Sequence, residues 1–213
     1  NGDRNFKRNG NLNKLNNDFN NVSEFKRKNP GKNNQNATKL IEKYTRNGDS
    51  LLDLSVGKGG DLNKWIHNKL SFVLGQDISN HGINNPNNGA CSRVLKKLKK
   101  TRDVPLTFFI YGDSSKRISN GSSALDGLNK FYLDVLYANI NKKTVLNKHL
   151  NKHYGKAREQ FNVVSCQFSI HYFFENKQKL DGLIQNVVDN VRDGGYFIGT
   201  CLDGQTVYNA LKG

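Results

Sequence analysis

The chain has 213 residues, which is enough for one domain of ordinary size with its own core. It carries 33 Lys and Arg against 18 Asp and Glu, so its formal net charge is +15. A surplus of this size favours a polyanionic partner, nucleic acid before an anionic membrane, although a basic protein without such a partner is an alternative. No apolar run approaches the ~20 residues of a membrane span, and no signal peptide is visible. Three scattered cysteines, Cys91, Cys166 and Cys201, lack metal-ligand spacing and fit a reducing compartment.

The chain begins with a polar region and a short helix. Residues 1–32 are basic and rich in asparagine, and we interpret them as an arm or linker. An amphipathic helix is expected next, with Ala37, Leu40, Ile41 and Tyr44 on one face.

Strand-like and helix-like segments then alternate. Strands are expected at 50–54, 71–77, 105–113, 161–166 and 196–202. Helices are expected at 61–70, at 89–100 with Val94, Leu95 and Leu98 inward, and at 177–193, ended by Gly194-Gly195. The segment 131–140 fits either a helix or a strand, and 141–160 is a charged insertion.

This alternation predicts a parallel sheet with helices on both faces, in a doubly wound arrangement. Ligands of such sheets bind at the carboxyl ends of the strands. The sequence places Gly57, Asp77, Asp113 and Gln167 at four of these ends.

The stretch LLDLSVGKGGDLNKW, residues 51–65, reads as a strand, a glycine-rich turn and the start of a helix. A Walker A loop is excluded because Lys58 is followed by glycines. A dinucleotide-binding fingerprint would use Gly57 and Gly59, but its third glycine is replaced by Leu62. The third interpretation is a loop that binds S-adenosylmethionine through close approach of its backbone.

Two aspartates at successive strand ends favour S-adenosylmethionine. Asp77 lies 20 positions after Gly57, where a carboxylate can accept hydrogen bonds from both ribose hydroxyls. Asp113 can accept from the adenine amino group while the backbone N–H of Ser114 donates to the ring. The alternative is that both aspartates only cap the helices that follow them.

A second cluster, SCQFSIHYFFE, spans residues 165–175. Phe168, His171 and Tyr172 leave the expected fourth strand beside the glycine loop, an arrangement that suits a flat ligand held by stacking. The alternative is a core edge in which Phe168, Tyr172 and Phe173 are simply packed.

Together with GGYFIGT, these two stretches resemble the messenger-RNA cap guanine-N7 methyltransferases, in particular the domain of multifunctional capping enzymes of large cytoplasmic DNA viruses and yeast linear plasmids. The resemblance implies a class I S-adenosylmethionine-dependent methyltransferase, with a Rossmann-like doubly wound, mostly parallel sheet. It covers residues 33–213 and leaves the arm at 1–32 outside. It also implies that the last strands of the domain, and a glutamate that reads guanine, would lie beyond Gly213.

The resemblance implies transfer of methyl from S-adenosylmethionine to N7 of the GpppN cap of RNA. The implied partners are capped RNA and other capping-enzyme domains of the same polypeptide, with no membrane and no metal. The implied location is the cytoplasm, in a virus factory, virion or cytoplasmic plasmid system, or the nucleus for a cellular enzyme. Guanine N7 is already nucleophilic, so no acid or base is assigned and catalysis is expected to rest on positioning.

The resemblance also assigns site residues. The implied cofactor site consists of Asp53, Ser55, Gly57, Asp61, Asp77, Asp113, Ser114, Gln167, Ser169 and Tyr172. The implied cap site consists of Lys58 and Arg93 for the phosphates, and Phe168, His171 and Tyr172 for guanine. Two cations suit a triphosphate bridge, and aromatic rings suit a positively charged methylated purine.

The sequence departs from the family at several positions. Ser55-Val56 stands where the family usually has Gly-Cys, and Ala37 stands where it has a lysine that faces the methionine carboxylate. Cys201-Leu202-Asp203 follows GGYFIGT, where the family often continues Thr-Pro.

Two other functions therefore stay open. One is a different S-adenosylmethionine-dependent methyltransferase, acting on nucleic acid or a small molecule. The other is a non-catalytic methyltransferase-like domain that binds RNA or a partner. The basic stretch 142–156 either follows an RNA backbone or is a solvated loop.

Overall fold

A computed structural model describes residues 40–212, apart from the side chains of residues 206, 207, 210 and 211. The expected arm at 1–32 and Ala37 lie outside the described residues. The described residues up to Cys201 form one compact unit, and those from Leu202 onward belong to a second. All of the site described below belongs to the first unit.

The strands and helices follow the expected alternation. The strands are β1 (Ser50–Asp53), β2 (Phe72–Asp77), β3 (Leu106–Tyr111), β4 (Phe161–Gln167) and β5 (Val191–Thr200). The helices are α1 (Leu62–His67), α2 (Asn80–Asn84), α3 (Ala90–Leu98), α4 (Gly127–Leu136), α5 (Lys148–Asn151), α6 (Ile170–Phe173), α7 (Lys177–Asn190) and α8 (Gly204–Lys212). Residues 40–44 are helical, and short 3-10 turns lie at Lys142–Thr144 and Lys156–Glu159.

The five strands form one parallel sheet in the order β3-β2-β1-β4-β5. Leu52 in β1 is opposite Leu74 in β2 and Val164 in β4. The strand order reverses between β1 and β4, the kind of switch point beside which parallel sheets bind their ligands. The predicted parallel sheet is confirmed.

The central strands of the sheet are buried on both faces. Leu52, Leu74 and Val164 pack in the core covered by α4 and α7. Leu51 and Val163 point the other way, into the core formed with α1 and α2. Helices on both faces confirm the doubly wound arrangement, and the near-continuous apolar strands follow from this double burial.

The prediction that Val94, Leu95 and Leu98 all point inward was wrong for two of them. Val94 is half-buried against the core, but Leu95 is 60% exposed and Leu98 is 49% exposed. The helix contacts the body of the domain mainly through Ala90 and Val94, because Leu95 lies about 100° further round the helix than Val94 and Leu98 is the last residue of the helix.

The boundary between α7 and β5 also differs from its prediction. The helix ends at Asn190 and the strand starts at Val191, before the glycine pair at 194–195. Buried Asn190 accepts from the hydroxyl of Tyr137 and donates to the carbonyl of Asn186, which anchors the end of the helix. Gly194 has a φ of +73°, and it lies where the register between β4 and β5 shifts. The glycine pair therefore shapes the strand and does not end the helix.

The ambiguous segment 131–140 is helical up to Leu136, as part of α4. Asp126 caps this helix, and its side chain accepts from the backbone N–H of Asn129 at 2.7 Å. A capped start and a buried face resolve an ambiguity that periodicity alone leaves open.

Gly182 generates a stability prediction. It lies inside α7, where alanine normally favours the helix by about 1 kcal/mol, but an added Cβ would lie 1.8 Å from the carbonyl oxygen of Ser115. We expect Gly182→Ala to lower the free energy of unfolding by about 1–3 kcal/mol, the usual cost of overpacking. Urea denaturation measures this. Gly127→Ala in α4, where an added Cβ meets nothing within 4 Å, is the control and should not destabilise. Equal stability of both variants would contradict the packing.

Candidate cofactor and cap site

The loop after β1 is held by one carboxylate at the end of β2. Gly57 donates its backbone N–H to Oδ2 of Asp77 at 2.7 Å, and Ser79 donates its N–H to Oδ1 at 2.8 Å. Gly57 has a φ of +54°, a left-handed conformation that glycine adopts without penalty. Asp77 thus joins the loops that follow two adjacent strands.

The two aspartates at strand ends are not helix caps. Ser79 caps α2, because its Oγ accepts from the N–H of Gly82 at 3.0 Å. The helix after Asp113 is α4, which Asp126 caps. The capping alternative for Asp77 and Asp113 is therefore excluded.

Asp113 lies two residues after β3, and one of its two carboxylate oxygens already accepts hydrogen bonds within the protein. Its Oδ1 accepts from the N–H of Ser115 at 2.9 Å and from the hydroxyl of Ser115 at 2.7 Å. Within residues 40–212, no hydrogen-bond donor reaches its Oδ2. Ser114 is only 6% exposed, and its hydroxyl donates to the carbonyl of Leu54 at 2.7 Å. The side chain of Ser114 therefore holds the pocket together, and only its backbone is left for a ligand.

A pocket of about 320 Å³ opens at these strand ends. This volume is in the range of small-molecule sites. Six predicted cofactor residues line it: Ser55, Asp77, Asp113, Ser114, Ser169 and Tyr172. The other five lining residues were not predicted from the sequence: Leu54, Ile78, Ser115, Phe173 and Lys179.

Two of these unpredicted residues, Ile78 and Lys179, differ in whether the local sequence could have indicated them. Ile78 directly follows Asp77 and is 66% exposed, so an apolar residue after a strand-end carboxylate could have indicated it. Lys179 comes from α7, far along the chain, and its ammonium group pairs with Glu175 at 2.5 Å. Nothing in its local sequence pattern places it beside Asp113.

Three of the predicted cofactor residues, Ser55, Gln167 and Ser169, lie in a hydrogen-bonded junction of β1, β4 and β5. The hydroxyls of Ser55 and Ser169 both donate to the carbonyl of Gln167, at 3.4 and 3.2 Å. The amide of Gln167 donates to the hydroxyl of Ser165 and accepts from the hydroxyl of Thr200, each at 3.0 Å. Gln167 does not line the pocket, but its backbone carbonyl holds the two serines that do, Ser55 and Ser169.

Asp53 and Asp61, both predicted as cofactor residues, belong to a buried charge cluster that does not line the pocket. Asp53 is 2% exposed and accepts from the N–H of Ser55 at 3.0 Å. Asp61 forms an ion pair with Lys64, a buried lysine that the sequence analysis did not identify. Burial raises the pKa of Asp53 well above its usual value, and the nearby carboxylates of Asp61 and Asp77 raise it further. The Ser55 N–H and Lys64 oppose that shift in the pKa of Asp53.

The segment after β4 presents aromatic rings in a constrained conformation. Phe168 has a φ of +58°, unusual for a bulky residue, and its N–H donates to the carbonyl and the hydroxyl of Thr200. The rings of His171 and Tyr172 lie 4.2 Å apart between centroids. Tyr172 is 53% exposed and lines the pocket, whereas Phe173 borders the same pocket from a buried position in the core. The core-edge alternative thus holds for Phe173 but not for Tyr172.

The two predicted phosphate-binding cations are connected to each other. The guanidinium of Arg93 donates to the carbonyl of Lys58 at 3.3 Å, and a weaker contact reaches the carbonyl of Gly59 at 3.5 Å. Both side chains are exposed, and neither lines the pocket. Ala90, at the start of α3, packs 3.4 Å from the position of an added Cβ on Gly59. The glycine loop and the start of α3 therefore form one surface.

The described residues, 40–212, contain neither a metal-binding cluster nor a membrane-spanning helix. No set of three or more His, Cys, Asp or Glu side chains there is placed to hold a metal ion. In the same range, no helix has the length and apolar character needed to cross a membrane.

The doubly wound parallel sheet, the glycine loop and the acidic strand ends define a class I S-adenosylmethionine-dependent methyltransferase. The comparison with known families is consistent with this class. The family described as the mRNA (guanine-N(7))-methyltransferase domain matches residues 16–136 and 129–213. The chain belongs to this family, which confirms the resemblance of its motifs.

Curated relatives carry matching names. The chain is 32% identical over 182 residues to a probable mRNA-capping enzyme of Acanthamoeba polyphaga mimivirus, covering 85% of this chain and 14% of that protein. It is 30% identical over 184 residues to the mRNA cap guanine-N(7) methyltransferase of Saccharomyces cerevisiae, covering 85% and 34%. A solved rRNA methylase from Streptococcus thermophilus aligns with a TM-score of 0.47 at 12% identity, covering 85% of this chain and 80% of that chain. The chain thus spans about a third or less of these curated relatives.

The buried Asp53 generates a pH prediction. The pKa of Asp53 in the folded state lies above the ordinary value of 3.8. Between these two pKa values, the folded chain keeps a proton on Asp53 that the unfolded chain has released. Stability from this group is therefore present below about pH 4 and is lost as pH rises toward the folded pKa. We expect Asp53→Asn to remove this loss, so its stability relative to wild type should increase with pH.

Chemical denaturation at a series of pH values checks this. Asp193→Asn, at an exposed position of β5, changes the same charge and is the control. A difference between wild type and Asp53→Asn that is constant with pH would contradict the raised pKa.

Proposed function

We propose that this chain transfers a methyl group from S-adenosylmethionine to N7 of the guanosine cap of GpppN-ended RNA. The observation that carries the proposal is the pair of carboxylates, Asp77 and Asp113, facing one pocket at the ends of neighbouring strands. Membership of the cap methyltransferase family supports the choice of substrate.

The pocket fits the adenosine part of the cofactor. Each carboxylate oxygen of Asp77 accepts one backbone N–H, which leaves each a lone pair for a ribose hydroxyl. Asp113 can accept from the adenine amino group through Oδ2, and the backbone of Ser114 lies beside it. Ile78 and Tyr172 supply apolar surface for the purine ring.

The junction between β1 and β4 would hold the methionine part. Ser55 and Ser169 present hydroxyls there, held by the carbonyl of Gln167. Gly57 allows the loop backbone to approach the cofactor closely. Asp53 supports the loop by accepting the N–H of Ser55, and Asp61 does so through its ion pair with Lys64 at the start of α1. The bound cofactor supplies an electrophilic methyl group on a sulfonium, and these residues orient it.

The cap would bind on the aromatic and basic side of the loop. His171 and Tyr172, with Phe168 beside them, form a surface suited to a guanine ring that becomes positively charged on methylation. Lys58 and Arg93 present two cations for the triphosphate. No described side chain is needed as a general base, because guanine N7 carries no proton to remove. The residues act by positioning and by electrostatics.

We further infer that the chain works beside other domains of a longer capping polypeptide in the cytoplasm. Its mimivirus relative is named a probable mRNA-capping enzyme, and the aligned region is 14% of that protein.

A methyl-transfer assay tests the proposal. The chain is incubated with radiolabelled S-adenosylmethionine and GpppA-capped RNA, and the digested product is separated by thin-layer chromatography. We expect label in N7-methylguanosine. Label in another nucleoside would support the different methyltransferase, and a lack of S-adenosylhomocysteine binding at millimolar ligand would support the non-catalytic domain.

Asp77 should be essential for cofactor binding. Asp77→Ala removes two charge-assisted acceptors for the ribose and releases the Gly57 loop. Since hydrogen bonds to charged groups contribute about 1.5–3 kcal/mol each, we expect S-adenosylhomocysteine binding to weaken at least about a hundredfold. Isothermal calorimetry measures the Kd. Asp103→Ala, at an exposed position with the same charge change, is the control. A Kd for Asp77→Ala close to that of the control would refute this role.

His171 should affect the cap and spare the cofactor. We expect His171→Ala to raise the KM for capped RNA roughly tenfold or more, because base–aromatic stacking contributes about 1–3 kcal/mol. The Kd for S-adenosylhomocysteine should change less than about twofold, since His171 does not line the pocket. His149→Ala in α5 is the control. Parallel losses of cap and cofactor binding would instead indicate a structural role.

A further inference from the structure

The helix α3 carries cations on its surface and contains no acidic residue. The stretch 80–102 contains six Lys and Arg residues and no Asp or Glu. The exposed stripe of α3 is therefore strongly positive, in contrast to α7, where Lys177 and Lys179 each pair with an acidic side chain.

Three of these cations form a row on one side of α3. Arg93, Lys96 and Lys100 are spaced i, i+3 and i+7, which places them on one side of the helix. The first turn after the helix continues the pattern, because the N–H of Lys100 donates to the carbonyl of Lys97. At 1.5 Å per residue, the row extends about 10 Å from Arg93.

The row starts at the proposed cap site. Arg93 contacts the carbonyl of Lys58, and Ala90 packs against Gly59, so the first turn of α3 is fixed to the glycine loop. We name Lys58, Arg93, Lys96 and Lys100 the basic row. From Lys58 it leads away from the pocket, along the outside of α3.

The charges of the basic row are not neutralised within the described part of the chain. Arg93 and Lys96 donate to backbone carbonyls, those of Lys58 and Asn87, which are neutral groups. No acidic side chain among residues 40–212 lies within ion-pair distance of Lys96 or Lys100. A row of uncompensated cations can bind phosphates and release their counterions.

We propose that the basic row binds the RNA chain beyond the cap, so that the first nucleotides of the transcript run along α3. This inference rests on the proposed function, since it takes the triphosphate to lie between Lys58 and Arg93. The exposed Leu95 and Leu98 lie on another side of α3 and are not part of the row. Because the partner is a phosphate backbone, no base preference is expected along the row.

The insertion before β4 provides a matched control. Lys143 and Lys152 are exposed, and the insertion leads into the amino end of β4, at the edge of the sheet opposite the pocket. The double variant Lys96→Gln/Lys100→Gln and the double variant Lys143→Gln/Lys152→Gln each remove two positive charges. Both leave Lys58, Arg93 and the pocket unchanged.

The experiment compares two substrates, the dinucleotide GpppG and a GpppG-capped RNA of about 20 nucleotides, with each variant of the full chain. For Lys96→Gln/Lys100→Gln we expect the KM for capped RNA to rise roughly fivefold to tenfold with kcat unchanged. The slope of log KM against log salt should fall by about 1.4, the value for two single-strand phosphate contacts. The KM for GpppG should not change, and the insertion variant should behave as wild type with both substrates.

Three results would overturn the proposal: an unchanged KM for capped RNA, an equal rise in the insertion variant, or an equal rise with GpppG. An unchanged KM would mean that the basic row is only a solvated face of the helix. An equal rise in the insertion variant would indicate general charge attraction, and an equal rise with GpppG would indicate an effect on the cap site. If wild type methylates neither substrate, the proposed function fails. Fluorescence anisotropy with labelled capped RNA then tests whether the basic row binds RNA. Lys96→Gln/Lys100→Gln should lose affinity for the RNA, and the insertion variant should not.

Discussion

The hydrogen bond from the N–H of Gly57 to the carboxylate of Asp77 is the contact on which the site depends. It joins the loop after β1 to the end of β2, and the same carboxylate holds the start of the following turn through Ser79. The path of the glycine loop beside the pocket depends on this connection. Its geometry needs a residue at 57 that accepts a positive φ, and glycine does so without strain.

A buried polar network extends this connection to β3 and α7. The hydroxyl of Ser114 bonds the carbonyl of Leu54 and the amide of Gln76, and Gln76 in turn accepts from Ser123. Asn186 of α7 donates to the carbonyl of Ser114. Every side chain in this network is buried and has its partners, so the network is rigid and stabilising rather than costly. The pocket is therefore formed before any ligand enters, which lowers the entropy lost on binding.

The sequence was sufficient for the sheet and for the acidic strand ends, and it failed where contacts come from distant segments. Asp77 and Asp113 were visible because apolar runs end next to them. The ion pair between Asp61 and Lys64 is local, with i, i+3 spacing, but the burial of both side chains, which are only 14% and 10% exposed, depends on the tertiary structure. Lys179 reaches the pocket because the backbone of Ser115 packs directly against α7, a contact between residues more than sixty positions apart. No local periodicity encodes such a contact.

The residues at 55 and 56, which differ from the family pattern, are accommodated by their neighbours. Val56 is buried, and the space it fills lies over Gly75 of β2, where an added Cβ would come within 2.9 Å of the valine side chain. A larger residue at 56 is thus paired with a glycine beneath it, and the loop keeps its position. The hydroxyl of Ser55 donates to the carbonyl of Gln167. The serine side chain therefore adds volume to the loop and also adds a hydrogen bond between the loop after β1 and the end of β4. The same side chain borders the pocket at the proposed methionine end, where it narrows the space and adds a polar group. Ser55 therefore changes the shape of the site while the fold around it stays intact, and any effect of the substitution should appear in ligand affinity before it appears in stability.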